Sequence, residues 1–131
     1  MHKYPVGAIV SIPYLGVLKH VGIITDKVVN GKPTIISASN KTGVVQEETF
    51  DSFSEGKEVK LINKSGNLTG VEVVRRARSK KGEKYNLFSS NCEHFVCWCH
   101  GLKVESEQLQ FFGALAIFTF VFLAAKKKKL V

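Results

Sequence analysis

The chain is poor in the features that would place it in several large classes of protein. It has only three cysteines, an odd number crowded into the stretch from Cys92 to Cys99, which excludes a disulfide framework. The N-terminal Met1-His2-Lys3-Tyr4-Pro5 has no apolar run of the kind a secretory signal needs. Together these point to a reducing, cytosolic setting for the folded part. Acidic residues are scarce, 11 against 19 lysines and arginines, giving a formal charge of +8. The excess is grouped at Arg75-Arg76-Ala77-Arg78-Ser79-Lys80-Lys81 and at Lys126 to Lys129, with no nucleic-acid-binding module around it. An anionic membrane surface is therefore a better partner than nucleic acid.

The 131 residues suffice for one globular core and a tail. After Gln108 the composition changes to the run Leu109 to Ala125, apolar on every side of a helix and followed by four lysines. As a helix it would reach ~25 Å, short of a ~30 Å bilayer core but extendable by snorkelling lysines. The expected division is a globular domain at 1–105 and a membrane-associating C-terminal helix with a lysine tail at 106–131.

Within the first part, Tyr4 to Pro13 alternates as a short strand between prolines. His20 to Val29 and Pro33 to Ser39 flank Asn30-Gly31, the strongest short hairpin signal. Pairing Val29 with Lys32 and counting back sets Ile24 opposite Ser37 and Gly22 opposite Ser39, with His20, Gly22, Ile24, Ser37 and Ser39 on one face. Gly22 then leaves room beside His20 for a helix. Gly43 to Phe50 and Val59 to Ile62 read as further strands, with Asp51 to Lys57 a polar turn. Thr69 to Tyr85 reads as a helix ending near Gly82, with Val71, Val74, Ala77 and Arg78 inward.

Ser89-Ser90-Asn91-Cys92-Glu93-His94-Phe95 carries the chemistry. Cys92, Phe95, Val96, Cys99 and Leu102 lie on one helical face, Asn91 is a good N-cap and Gly101 a good stop. A thiol in the first turn of a helix meets free N–H groups and the positive end of the dipole, which favour thiolate and suit an oxyanion. The plain alternative is a packed apolar-face cysteine.

Asn91-Cys92-Glu93-His94-Phe95 resembles the signature pentapeptide of the lecithin:retinol acyltransferase family, and His20-Val21-Gly22-Ile23-Ile24 resembles that family's first histidine motif. The resemblance implies an α+β fold, a small antiparallel sheet with packed helices of the circularly permuted papain-like type, in which histidine precedes cysteine in the chain as it does here. It implies a thiol-dependent acyltransferase or phospholipase A acting on phospholipid acyl esters, without cofactor or metal, at the cytoplasmic face of a membrane held by residues 109–125. Cys92 is then the nucleophile and His20 the base. The third residue, a second histidine in most of the family, falls at Ser37, with Ser39 and Asn40 behind it. A serine adds no charge, so a less basic His20 is expected. Tyr85 matches a tyrosine that supports the family's site, as oxyanion donor or by packing. Three other readings compete: a cysteine peptidase or amidase of the related superfamily, a non-catalytic membrane-bound module, and a zinc site drawn from Cys92, His94, Cys97, Cys99 and His100. On one helix those last residues scatter, and the paired spacing of a zinc site is absent.

Overall fold

A computed structural model of the chain describes residues 4–14, 18–39, 41–84 and 92–102. Strands β1 (Ile9–Tyr14), β2 (Leu18–Val29), β3 (Lys32–Ala38), β4 (Val45–Glu48) and β5 (Lys60–Ile62) form one antiparallel sheet in the order β4-β3-β2-β1-β5. Helices α1 (Phe50–Ser54), α2 (Gly70–Ser79) and α3 (Cys92–Cys99) complete the α+β architecture that the sequence suggests. The apolar 109–125 run and its lysines lie outside the described residues; among those that are described, no helix is long and apolar enough to cross a membrane.

The sheet is covered on both faces. Ile9, Val21, Ile23, Ile36, Ala38 and Val45 pack under Val73, Val74 and Ala77 of α2 and Cys92, Phe95, Val96 and Cys99 of α3. On the other face Val10, Ile12, Ile24 and Ile35 pack with Phe53 of α1 and with Val59. Adjacent strand residues point to opposite faces, so the apolar runs in β1, β2 and β3 supply both cores at once. Pro13 lies inside β1 rather than at its boundary, paired with Lys19; β5 pairs only Ile9, Val10 and Ser11, so no β5 partner is lost at the proline.

The β2–β3 hairpin turns at Asn30 (φ 54°) and Gly31 (φ 77°), both left-handed as a type I′ turn requires. Val29 pairs with Lys32 and Val28 with Pro33, but the ladder then resumes as Ile24 with Ile35 and Ile23 with Ile36. Thr25, Asp26 and Lys27 thus stand against Thr34 alone, a bulge that an unbroken count from the turn misses. It moves the partner of Ile24 from Ser37 to Ile35, yet the shift of two residues keeps the side chains on their expected faces. Hydroxyls fill the broken ladder. Thr34 donates to Glu47 Oε2 (2.7 Å), so Thr25 donates to Thr34 (2.6 Å) and its oxygen accepts from the Lys27 amide (3.0 Å).

Two further expectations change. Residues 51–57 are not wholly a turn: Thr49 caps α1, its hydroxyl accepting from the Ser52 amide, and Phe53 points into the sheet. Helix α2, capped by Thr69, ends at Ser79, and Val71 is 76% exposed while Val73, Val74 and Ala77 are buried. The chain after it is drawn to the edge of β4 instead, Gly82 N–H donating to Val45 O (2.8 Å) and Val45 N–H to Glu83 O (2.9 Å), which leaves those groups unavailable to a longer helix. Helix α3 stops where Gly101 (φ 68°) takes the left-handed conformation, with Gly101 N–H on Trp98 O (3.0 Å) and Leu102 N–H on Cys97 O (2.9 Å), a Schellman motif.

Candidate active site

Cys92 opens α3 and is almost wholly buried, 1% exposed. Its thiol reaches β2 beside His20, donating to the Lys19 carbonyl at 4.0 Å. The main-chain N–H of Val21 and those of Cys92 and Glu93 in the first turn of α3 favour the thiolate, as helix-terminus chemistry predicts. Burial nevertheless outweighs them, with the Glu93 carboxylate adding to it, and the thiol is pushed up to about 11. The expected thiolate is therefore absent at neutral pH in this state. The amides that were to stabilise it are present, but they are not enough to offset removal from water.

His20 lies on the opposite face of β2 from the Cys92 core. Its ring stacks on Phe53, centroids 5.1 Å apart and planes 29° apart, and it is 9% exposed. Burial lowers its pKa to about 4, Lys41 and Lys57 push the same way, and Glu55 opposes them. The less basic histidine expected from the sequence is thus seen, but its cause is burial and two lysines. The space at Gly22 is not a docking place for α3. A Cβ there would lie 2.5 Å from Ile35 Cγ2, 3.1 Å from Ile36 O and 3.1 Å from Phe53 Cε2, so the room is filled by Ile35 and α1. What α3 covers instead is the opposite face of the sheet, against Val21 and Ile23 of β2. Continuing the ladder places Val21 opposite Ala38, the last residue of β3, so Lys19 and His20 run past that strand's end.

Ser37 is fully buried in β3, opposite Gln46 of β4 and, by continuation of the ladder, opposite Gly22. It shares the His20 face, as expected, but its hydroxyl has no hydrogen-bond partner among the described residues. Ser39 is also buried and its hydroxyl accepts from the Lys41 amide (3.1 Å). Tyr85, Asn91 and Asn40 lie outside the described residues.

The grouping that sequence reasoning passed over is Lys41, Glu55 and Lys57. Glu55 holds Lys41 at 2.7 Å and Lys57 at 3.7 Å, at the end of the helix that carries Phe53 onto His20. Its signal in the sequence was Thr49 followed by Phe50 and Phe53, a cap and a short apolar stripe within a segment that otherwise reads as polar.

The proposed zinc ligands do not converge. His100 turns away to the Gly7 carbonyl (Nε2 to O, 2.7 Å), and among the described residues no three His, Cys, Asp or Glu side chains group as a metal site. A cavity of about 500 Å³ bordered by Val6, Ile9, Leu61, Leu68, Val73 and His100 opens at the far end of α3, and Cys92, His20 and Ser37 do not line it.

Comparison with known proteins agrees with the pentapeptide. The chain is 31% identical over 101 residues to mouse lecithin retinol acyltransferase, covering 71% of this chain and 43% of the mouse protein. It is 32% identical over 95 residues to the human protein of that name, covering 66% and 41%. Human phospholipase A and acyltransferase 2 is 31% identical over 72 residues, covering 50% and 44%. The chain thus spans less than half the length of these curated relatives. The lecithin retinol acyltransferase family model matches residues 4–104, a span that takes in β1 through α3 with His20, Ser37 and Cys92, and the chain belongs to that family.

Proposed function

We propose that this chain is a thiol-dependent acyltransferase or phospholipase A that takes acyl groups from phospholipid esters, with Cys92 as nucleophile, His20 as base and Ser37 as a positioning residue. The observation that carries the reading is the seat of the Cys92 sulfur: it lies against the β2 main chain at Lys19 and Val21, the two neighbours of His20, with main-chain amides from β2 and α3 directed at it. The names of the relatives supply the substrate class, since they include both an acyltransferase acting on lecithin and a phospholipase A.

In the chemistry proposed, the thiol gives its proton to His20 as sulfur bonds to the ester carbonyl carbon. The carbonyl oxygen becomes an oxyanion stabilised by the first-turn amides of α3. Collapse breaks the bond to the glycerol oxygen, which leaves with the His20 proton, and the acyl group remains as a Cys92 thioester. An alcohol, an amine or water then attacks that thioester, His20 again taking and returning a proton. Burial raises the Cys92 thiol and lowers the His20 imidazole, so both shifts favour the neutral pair over the charged one. Proton transfer is therefore coupled to bond formation rather than completed beforehand, and it requires the His20 ring to leave Phe53 and turn from its own face of β2 toward the Cys92 side. The unpartnered Ser37 hydroxyl supports a positioning role, as a group available to the ring when it leaves Phe53. Residues 109–125 are proposed to hold the domain at the cytoplasmic face of a membrane.

The test is intact-mass measurement of the full chain after incubation with phosphatidylcholine vesicles, for wild type, Cys92→Ala and His20→Ala. One fatty-acyl mass on wild type, released by hydroxylamine and missing from both variants, is the expected result. No adduct and no released fatty acid from any of them would sink the lipid reading and turn attention to peptide substrates.

A further inference from the structure

We propose that Lys41 and Lys57 form an anion subsite that receives the phosphodiester of the lipid donor, and that Glu55 occupies this subsite as an internal stand-in until substrate displaces it. The inference rests on the acyl-transfer reading above and names the part of the donor that this chain recognises.

The two lysines come from separate segments, one after β3 and one before β5, and Glu55 joins them, with Lys41 Nζ on Oε1 (2.7 Å) and Lys57 Nζ on Oε2 (3.7 Å). Neither ammonium is left to wander, because Lys41 also donates to the Ser52 carbonyl (3.0 Å) and Lys57 to the Pro13 carbonyl (3.3 Å). The two cations thus face the two oxygens of one carboxylate, and a phosphodiester presents the same kind of pair of anionic oxygens.

Glu55 itself sits where a glutamate is costly. Its backbone is left-handed, φ 52° and ψ 36°, at the end of α1, a position that glycine fills without strain, and Gly56 follows immediately at φ 77°. A side chain kept on a strained backbone calls for a reason, and here the carboxylate between two lysines supplies it. Exposed ion pairs of this sort are weak and exchange readily, and all three side chains are about two-fifths exposed, so the carboxylate is free to swing into water when another anion arrives.

The location fits a headgroup. Glu55 directly follows the helix whose Phe53 lies on the His20 ring, and the charges of all three residues are felt at that ring. In a phospholipid only the glycerol carbons separate the phosphodiester from the acyl esters. A phosphate held at Lys41 and Lys57 therefore sets the donor on the His20 side of the sheet, where the base stands.

The experiment compares hydrolysis and transfer by the full chain on phosphatidylglycerol, phosphatidylcholine and diacylglycerol vesicles, for wild type, Lys41→Ala with Lys57→Ala, and Glu55→Gln. Wild type is expected to favour both phosphate-bearing lipids over diacylglycerol. The double lysine variant should lose that preference by about tenfold or more, in KM rather than kcat. Glu55→Gln should strengthen the preference, because it removes the internal competitor. A structural clasp would instead make Glu55→Gln fail in the same direction as the lysine variants, and that result, or an unchanged preference in the double variant, overturns the proposal. Titration with inorganic phosphate, followed through the His20 imidazole NMR signals, reads the subsite without turnover. If no lipid is cleaved yet phosphate shifts those signals in wild type and not in the lysine variant, the acyl-transfer reading fails while the anion site stands. If phosphate binds but phosphate-bearing lipids and diacylglycerol are turned over alike, the site takes free phosphate and the headgroup assignment is wrong.

Discussion

His20 makes the acid limb of the stability curve a direct test of how the site is packed. Its pKa falls from an ordinary 6.5 to about 4 in the folded chain, first because the ring is buried against Phe53 and then because Lys41 and Lys57 repel the imidazolium more than Glu55 attracts it. Between those two values the unfolded chain binds more protons than the folded one, so stability rises with pH through that window. A gap of 6.5 − 4 corresponds to about 3 kcal/mol, fully present above pH 6.5 and lost as pH falls to about 4. Replacing His20 by Gln removes the titration while keeping a polar side chain. Urea unfolding of both proteins at intervals from pH 4 to pH 7.5 should give a difference in unfolding free energy that changes by about 3 kcal/mol across the window. His100, also lowered mainly by burial, and Glu47, also depressed, remain in both proteins and cancel in the difference. Parallel curves, with a difference constant to ~0.5 kcal/mol, would mean that water reaches the ring and that the Phe53 stack does not shield it.

Three other outcomes follow from the same geometry. Gly22→Ala should cost about 1–3 kcal/mol in denaturant unfolding and shift the His20 ring signals, because the added methyl meets a backbone carbonyl and two buried side chains; an unchanged midpoint would show that α1 is not seated on the sheet as described. Cys92, with its thiol at about 11, should react with iodoacetamide at pH 7.5 some few-hundred-fold more slowly than a free cysteine, scored by peptide mapping; a rate matching glutathione would refute its burial. Arg76→Ala should destabilise by about 1–2 kcal/mol and alter the near-ultraviolet circular dichroism of Trp98, since the guanidinium lies 4.1 Å over the indole and donates twice to the Trp98 carbonyl. Recovery of the full loss by Arg76→Lys would argue against the stacked, two-donor geometry.

The parts of this molecule that were legible beforehand are those set by local pattern. The buried set Cys92, Phe95, Val96 and Cys99, the stop at Gly101 and the turn at Asn30-Gly31 are all written in a few adjacent residues. Helix α1 escaped because five residues hold too little periodicity to separate a helix from a turn, and Phe53 is understood only once the sheet lies beneath it. The bulge depends on Thr25, Thr34 and Glu47 meeting from three strands, which no window along the chain contains. The placing of Cys92 and His20 on opposite faces was lost for the same reason: both residues were identified, but their relation depends on which side of β2 each helix covers. Burial is likewise a tertiary quantity, and it reversed the expected effect of the helix terminus on the Cys92 thiol.

The bulge in β2 also sets a rule for changes in hairpin length. Side chains alternate with a period of two, so the strand tolerates gains and losses between Ile24 and the turn only in pairs. Excising Asp26 and Lys27 together restores an unbroken ladder from Val28 to Ile24 and leaves both cores intact. Excising either one alone turns β3 over relative to β2, exchanging Ile35 for Ile36 and Ser37 for Ala38 between the two sides of the sheet. Changes of hairpin length in even steps are therefore the ones that keep both cores without a further adjustment.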